Sequence, residues 1–137
     1  MKKKNITCIY SLDDSISLIF GDKIAIEQLI INIVFNAKDA IIERGKDLKD
    51  YNGSINISTI SDENLVKLII KDNGIGIREE YIQKIWSPFF TTKNRLEGTG
   101  IGLSISKKII REHNADVHVS SGSKGTQFTI SFPAIFE

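Results

Sequence analysis

The segment that most constrains the fold is an acidic residue followed by two closely spaced glycines at the end of an apolar run. Residues 65–70 are aliphatic apart from Lys67, which is typical of a largely buried β-strand. Asp72 follows this strand, with Gly74 and Gly76 just beyond it. Glycine permits positive φ and lets the backbone approach a ligand closely. Taken alone, the segment is either an ordinary Asp-Asn turn or a binding loop at a strand end.

Length, charge and cysteine content narrow the class of protein. The 137 residues, 41% hydrophobic and 26% charged, predict one soluble globular domain spanning 1–137. A net charge of +1 provides no basic field for a phosphate backbone, so we expect no nucleic-acid partner. The single cysteine, Cys8, excludes an internal disulfide and fits a reducing compartment. Polar residues interrupt the apolar segment 24–42, so we expect a cytoplasmic domain without direct membrane contact.

Hydrophobic periodicity predicts an α+β fold, an α/β sandwich. Asp22 is a candidate N-cap and Gly45 a candidate C-cap for a long helix. The core stripe of that helix is predicted at Ile26, Ile30, Ile33, Ala37 and Ile41. The other predicted elements are strands at 5–10, 15–20, 55–59, 65–70, 116–120 and 126–132, a short helical segment from 78 to Pro88, and a helix at 103–113. Because most strands are joined as hairpins, we expect a mixed, mostly antiparallel sheet with helices on one face.

Two asparagines lie one turn apart inside the apolar helix. Asn32 and Asn36 are separated by about 6 Å along the axis. An amide buried without partners costs about 1–3 kcal/mol, so both side chains should have partners. Interhelical hydrogen bonds would provide them, and so would a ligand or Mg²⁺ that already carries phosphate oxygens and water.

A second glycine-rich segment leads into the predicted helix at 103. It consists of Gly98, Thr99, Gly100, Ile101, Gly102 and Leu103. Exposed N–H groups at a helix start favour an anion such as phosphate, although a flexible turn explains the glycines equally well. Residues 88–93 lie between the glycine segments, and Thr91, Thr92 and Lys93 offer two hydroxyls and a cation to phosphates. A satellite hydrophobic cluster with an exposed lysine is the alternative for this stretch.

Four segments in the same order resemble those of a known family. Residues 27–40 resemble the N box, 72–77 and 98–103 the two glycine boxes, and 85–93 the phenylalanine box of sensor histidine kinases. The chain therefore resembles the catalytic, ATP-binding domain of these kinases, which has the Bergerat fold. The sequence Asn-Ala-Lys-Asp-Ala at 36–40 resembles that of the nitrogen-regulation-like subgroup. These kinases belong to two-component systems.

The resemblance implies roles for individual residues. Asn36 would ligate Mg²⁺, Asp72 would accept the adenine amino group, and the segment from Phe90 to Gly100 would form the ATP lid. Asn32 and Lys93 would be catalytic. The nucleotide would be bound by Asn36, Asp39, Asp72, Gly74, Gly76, Ile77, Phe90, Thr91, Thr92, Gly98, Thr99, Gly100, Ile101, Gly102, Leu103 and Thr126. Because a buried carboxylate accepts the amino group of adenine and repels the carbonyl oxygen of guanine, we expect selectivity for ATP over GTP.

Three departures from the family pattern affect the chemistry. Asn32 stands where the hydrolysing relatives have a glutamate, and an amide is not a general base, so water attack on ATP should be slow. Asp39 stands where many of the kinases have a basic residue, which leaves Lys93, Lys38 or Arg95 to meet the phosphate charge. Neither His113 nor His118 has the surroundings of a phosphoacceptor.

The expected partners follow from the last departure. The acceptor histidine would lie on a separate dimerisation domain of the same kinase, a response regulator would be an indirect partner, and the isolated domain would be a monomer. An anti-sigma-factor serine kinase and a non-kinase ATP-binding clamp of the same superfamily remain alternatives.

Overall fold

A computed structural model describes residues 6–15, 17–88 and 102–135. Over these residues the chain forms five strands and two helices. They are β1 (Ile6–Leu12), α1 (Lys23–Gly45), β2 (Gly53–Asp62), β3 (Leu65–Asp72), α2 (Gly102–Glu112), β4 (Asp116–Gly122) and β5 (Gly125–Pro133). A short 3₁₀ helix, Glu79–Tyr81, lies between β3 and α2.

The strands form one sheet in the order β1-β2-β3-β5-β4. β1 pairs in parallel with β2, whereas the other three pairings are antiparallel. This confirms the predicted mixed, mostly antiparallel sheet. The two hairpins, β2-β3 and β4-β5, provide two of the antiparallel pairings, and β3 and β5 join them in the middle of the sheet.

The strand predicted at 15–20 is wrong. The described residues of this segment form only one bridge, from Leu18 to Ile135, and Ser17 N–H donates to Ser61 Oγ at 3.3 Å. The segment therefore crosses the end of the sheet and does not extend it. Leu18 and Phe20 are 67% and 82% exposed, so their apolar side chains find no sheet face to pack on.

Helix α1 begins as predicted and ends differently. The Asp22 carboxylate accepts hydrogen bonds from the N–H groups of Ile24 at 2.9 Å and Ala25 at 3.3 Å, which confirms the N-cap. Gly45 is the last helical residue, and the cap is Lys46 in the right-handed region. The predicted C-cap at Gly45 is wrong because the helix ends without a left-handed residue, and Gly45 instead is buried.

The core lies between the sheet and the two helices. The stripe predicted on α1 is buried at Ile33, Ala37 and Ile41, but Ile26 and Ile30 are only partly buried and Leu29 takes a core position. On α2, Ile109 and Ile110 are buried, whereas Ile105 is 41% exposed.

The central strands are buried on one face only. Val66, Leu68, Ile70 and Asp72 of β3 are buried, while the residues between them are at least partly exposed, so the strand predicted at 65–70 is confirmed and its full burial is limited to one face. The buried residues of β5 are Thr126, Phe128, Ile130 and Phe132. Alternation with a period of two therefore places Asp72 and Thr126 on the same face as the helices. Neither described helix is long and apolar enough to cross a membrane.

Candidate functional site

The Asp72 carboxylate is the most buried charge-bearing group among the described residues. It is 5% exposed, and its Oδ1 accepts a hydrogen bond from Gly74 N–H at 2.7 Å. The backbone N–H of Thr126 also hydrogen-bonds to it. Burial raises the pKa of this carboxyl to about 6, because loss of hydration outweighs the two hydrogen bonds that lower the pKa. The site therefore favours a ligand that donates a further hydrogen bond to this carboxylate.

The pairing of β3 with β5 brings two predicted site residues, Asp72 and Thr126, together. Asp72 lies directly opposite Thr126 in the β3-β5 register. The hydroxyls of Thr126 and Ser121 are 2.8 Å apart, and Ser121 Oγ accepts a hydrogen bond from Ile77 N–H at 2.7 Å. Ser121 thus joins β4, β5 and the loop after β3. Ser121 could not be identified from the sequence, since a serine one residue before a hairpin glycine resembles an ordinary turn residue.

The two glycines after Asp72 serve different purposes. A Cβ on Gly74 would lie 2.6 Å from Ala40 Cβ and 2.7 Å from the Ala40 carbonyl carbon. The next N–H, of Ile75, donates to Ala40 O at 3.1 Å, so the loop packs directly on α1. Gly76 has φ of +83°, and a Cβ there would meet the Gly122 carbonyl oxygen. Of the two, only Gly76 uses the left-handed freedom of glycine, whereas Gly74 is required for close approach to the helix.

Arg44 and Tyr51 hold the loop after Asp72 in place, and neither could be identified from the sequence. Arg44 Nη1 donates to the carbonyl oxygens of Asn73 at 3.1 Å and Gly74 at 3.2 Å, and its guanidinium lies 5.3 Å from the Tyr51 ring centre. Tyr51 donates its hydroxyl to Asn73 O at 2.6 Å. Burial raises the pKa of the Tyr51 hydroxyl. Asn73 Oδ1 accepts a hydrogen bond from Ser54 N–H at 2.8 Å. These bonds hold the loop in place independently of any ligand.

Asn32 links the two helices at the other end of the site. Its Nδ2 donates to Gly102 O at 3.1 Å and to Ser106 Oγ at 3.4 Å. Its Oδ1 accepts from Gln28 Nε2 at 2.8 Å, and the fully buried Ser106 donates its hydroxyl to Gly102 O at 2.9 Å. The start of α2 is therefore held against α1. Leu103 is partly buried and packs against the core.

One flank of α1 runs from the start of α2 to the loop after Asp72. Asn32, Asn36 and Ala40 follow one another at intervals of four residues, which places them along one side of the helix over about 12 Å. Asn32 contacts Gly102, and Ala40 contacts the loop at Gly74. Asn36, which is partly exposed, lies midway between the two contacts, and the partly exposed Asp39 follows on a neighbouring side. The flank therefore provides an amide oxygen between the buried carboxylate and the start of α2.

Several predicted residues lie outside the described part of the chain. They are Phe90, Thr91, Thr92, Lys93, Gly98, Thr99, Gly100 and Ile101. The predicted ATP lid falls wholly on them and stays a prediction.

Comparison with known proteins shows the family of this arrangement. The model of the histidine kinase-, DNA gyrase B-, and HSP90-like ATPases matches residues 21–135. Sporulation kinase A of Bacillus subtilis (strain 168) is 39% identical over 114 residues, which are 82% of this chain and 17% of that kinase. The signal transduction histidine-protein kinase AtoS of Escherichia coli (strain K12) is 39% identical over 127 residues, 91% of this chain and 19% of that kinase.

A solved structure gives the same result. The catalytic domain of histidine kinase ThkA, in a nucleotide-free form, matches with a TM-score of 0.77 and 33% identity, covering 94% of this chain and 79% of that one. The chain spans less than a fifth of the length of the two kinases above, but most of this catalytic domain. The chain thus belongs to the family of histidine kinase-, DNA gyrase B- and HSP90-like ATPases, and its sequence and fold match the catalytic domains of histidine kinases.

Proposed function

We propose that this chain is the ATP-binding catalytic domain of a sensor histidine kinase of the nitrogen-regulation-like subgroup. It would transfer the γ-phosphoryl group of ATP to a histidine on a separate dimerisation domain of the same kinase, and a response regulator would receive the group next. The family supports the ATP-dependent chemistry. The sequence at 36–40 supports assignment to the nitrogen-regulation-like subgroup. As the substrate is ATP, we place the domain in the cytoplasm, as one unit over 1–137.

The observation that carries the proposal is the buried Asp72 carboxylate. It is 5% exposed, and the N–H groups of Gly74 and Thr126 already bond to it. A further donor from a ligand would stabilise the charged form that burial disfavours. The exocyclic amino group of adenine is such a donor, whereas guanine has a carbonyl oxygen at the same position. The carboxylate would repel that oxygen, so ATP is preferred over GTP.

The residues of α1 fit a magnesium ion bound with the nucleotide. Asn36 has a neutral amide oxygen on the flank between Asp72 and the start of α2, and Asp39 adds a carboxylate nearby. Mg²⁺ in nucleotide sites takes one or two protein ligands and completes its shell with phosphate oxygens and water, so this donor set suffices. When bound, the ion neutralises charge on the phosphates. Asn36 would hold it, while the start of α2 provides backbone N–H groups to the phosphate oxygens.

The contacts of Asn32 support transfer to a nucleophile other than water. Its amide nitrogen donates to Gly102 O, and an amide cannot take a proton from water at neutral pH. In the proposed reaction a ring nitrogen of the acceptor histidine forms a bond to the γ-phosphorus. The bond from that phosphorus to the β-γ bridging oxygen breaks, and ADP leaves with the electron pair. Slow hydrolysis preserves ATP for this acceptor.

Two measurements test the proposal. In calorimetry with Mg²⁺, the domain should bind ATP at least tenfold more tightly than GTP, and Asp72→Asn should remove most of that preference because an amide can orient either group toward the base. Equal affinity of the wild-type domain for the two nucleotides would refute the role of Asp72.

The second measurement identifies the acceptor. Mixing the domain with a histidine-kinase dimerisation domain and labelled ATP should yield phosphoprotein that is labile in acid. Acid-stable phosphoserine would favour a serine kinase, and binding without transfer would favour a conformational clamp.

A further inference from the structure

The side of α1 that faces away from the sheet carries exposed apolar side chains. They are Ile24, Ile31, Phe35 and Ile42, which are 78%, 45%, 59% and 38% exposed. The core residues of the same helix, such as Leu29 and Ile33, are fully buried against the sheet. Exposed apolar side chains aligned on one face of an element are typical of an interaction surface. We name these four residues the outer seam.

The spacing of the outer seam selects a helix as its occupant. The intervals along the chain are seven, four and seven residues, and each is close to a whole number of helical turns. With Gln28 and Lys38 included, the residues occupy successive a and d positions of a heptad pattern. Such a stripe is narrow and accommodates one helix packed at a small crossing angle.

The outer seam is complementary to a second copy of itself. Ile24 and Ile42 each lie nine residues from Ile33, and Ile31 and Phe35 each lie two residues from it. A two-fold axis at the level of Ile33 would therefore place Ile24 opposite Ile42, and Ile31 opposite Phe35, of an antiparallel copy. This reciprocal matching is what a two-fold interface requires.

Charges beside the seam agree with the antiparallel direction. Glu27 and Lys38 are both exposed and lie eleven residues apart, about three turns, so they share one edge of the seam. Glu27 lies six residues before Ile33 and Lys38 lies five after it. In the antiparallel pair each Glu27 would lie beside Lys38 of the other copy, giving two ion pairs. In a parallel pair Glu27 and Lys38 of the two copies would lie on opposite edges of the interface, so these ion pairs would not form.

We propose that α1 of this chain docks antiparallel on α1 of a second copy through the outer seam, forming a reversible two-fold dimer. The proposal differs from the monomer expected from the sequence. Gln28 and Lys38 are polar and lie between the residues of the outer seam along the helix, which keeps the association weak. The flank with Asn32, Asn36 and Ala40 lies about a quarter turn or more from the centre of the outer seam, whereas Asp39 lies nearer to the seam, so the dimer leaves Asn36 accessible. The proposal is therefore independent of the proposed function.

Sedimentation velocity over a wide concentration range tests the association. The wild-type domain should show a concentration-dependent dimer, and Phe35→Glu should weaken it about tenfold or more. Glu27→Lys should also weaken it, because two lysines would then face each other, and the double variant Glu27→Lys with Lys38→Glu should restore it. Calorimetric affinity for ATP should be unchanged in Ile24→Ser, which alters the seam far from the nucleotide flank.

Disulfide trapping tests the direction. Because Cys8 is free and exposed, it is first replaced by serine. In that background Ile24→Cys with Ile42→Cys should form a covalent dimer under mild oxidation, and mass spectrometry should find the 24–42 link. Ile24→Cys alone should not link, because the two copies of that residue lie about 27 Å apart in an antiparallel pair.

Several outcomes would overturn the proposal. A wild-type domain that stays monomeric at millimolar concentration would do so, as would a dimer that Phe35→Glu leaves unchanged or a 24–24 link from the single cysteine. A monomeric wild type in which Phe35→Glu abolishes transfer to the dimerisation domain, with ATP affinity intact, would assign the outer seam to a helix of that domain instead.

Discussion

Replacing Asp72 by asparagine should stabilise the ligand-free domain while removing its selectivity for ATP. Burial raises the pKa of the carboxyl from 3.8 to about 6. At about 1.4 kcal/mol per pKa unit, ionising it in the folded state costs about 3 kcal/mol relative to the unfolded chain. Since the folded state holds the proton more tightly, the stability of the wild-type domain should fall as the pH rises from about 4 to about 7.

The assay is urea unfolding followed by the fluorescence of Trp86, whose ring centre lies 5.9 Å from that of Phe128 in the core. The free-energy difference between Asp72→Asn and wild type should grow from about 0.6 kcal/mol at pH 4 to about 3 kcal/mol at pH 8. Asp72→Ala separates charge from hydrogen bonding. It should show the same pH dependence but be less stable than Asp72→Asn throughout, because Gly74 N–H loses its acceptor.

Ligand should cancel most of this difference at pH 8. Saturating ATP at 100 times the dissociation constant adds about 2.7 kcal/mol to the wild-type domain and much less to the variant. A stability difference between Asp72→Asn and wild type that is the same at pH 4 and pH 8 would refute the reasoning. It would mean that the pKa of the Asp72 carboxyl is the same in the folded and the unfolded state.

Three further predictions concern the frame around the site. Gly76→Ala should lower the free energy of unfolding by more than about 1 kcal/mol, since φ is +83° and the added methyl would meet Gly122 O, whereas Gly122→Ala, with open space around its Cβ, should be near neutral in the same urea titration. Arg44→Ala should cost about 1–3 kcal/mol and weaken ATP binding in calorimetry, because two carbonyl groups of the loop lose a charged donor. Lys46→Ala, which removes an exposed ion pair with Glu43, should cost less than about 0.5 kcal/mol, and equal effects of the two substitutions would contradict the role of Arg44 in holding the loop. His113→Ala should lower stability by about 1–2 kcal/mol, since its ring accepts from Asp22 N–H at 3.0 Å and bonds to Ile109 O at 2.7 Å, while an unchanged urea midpoint would show that these bonds contribute nothing net.

Features determined by neighbouring residues could be predicted from the sequence. The N-cap at Asp22 follows from Gly21-Asp22 before an apolar-periodic segment, and the hairpin loop between β4 and β5 follows from Gly122 and Gly125. Gly45 shows where such rules fail. A glycine near a helix end is normally a left-handed cap, but here it is buried inside the last turn, so tertiary packing decides its role.

The site itself was predicted only in part. Asp72 and Asn36 could be named because each is out of place in an apolar element, and Thr126 could be named only through the resemblance. Arg44, Tyr51 and Ser121 could not be found, since they are polar residues in ordinary surroundings. Their partners in the loop lie between 22 and 44 positions away along the chain. Only the folded backbone brings them together.

The contacts of α1 make the domain intolerant of length changes within that helix. Asn32 holds the start of α2, and Ala40 holds the loop after Asp72. One extra residue between them would rotate everything beyond it by about 100°, and one of the two contacts would then be lost. Insertions and deletions should therefore be excluded between Asn32 and Ala40. A ligand with a longer or shorter distance between base and phosphates would have to be accommodated by the loops, since the helix acts as a spacer of constant length.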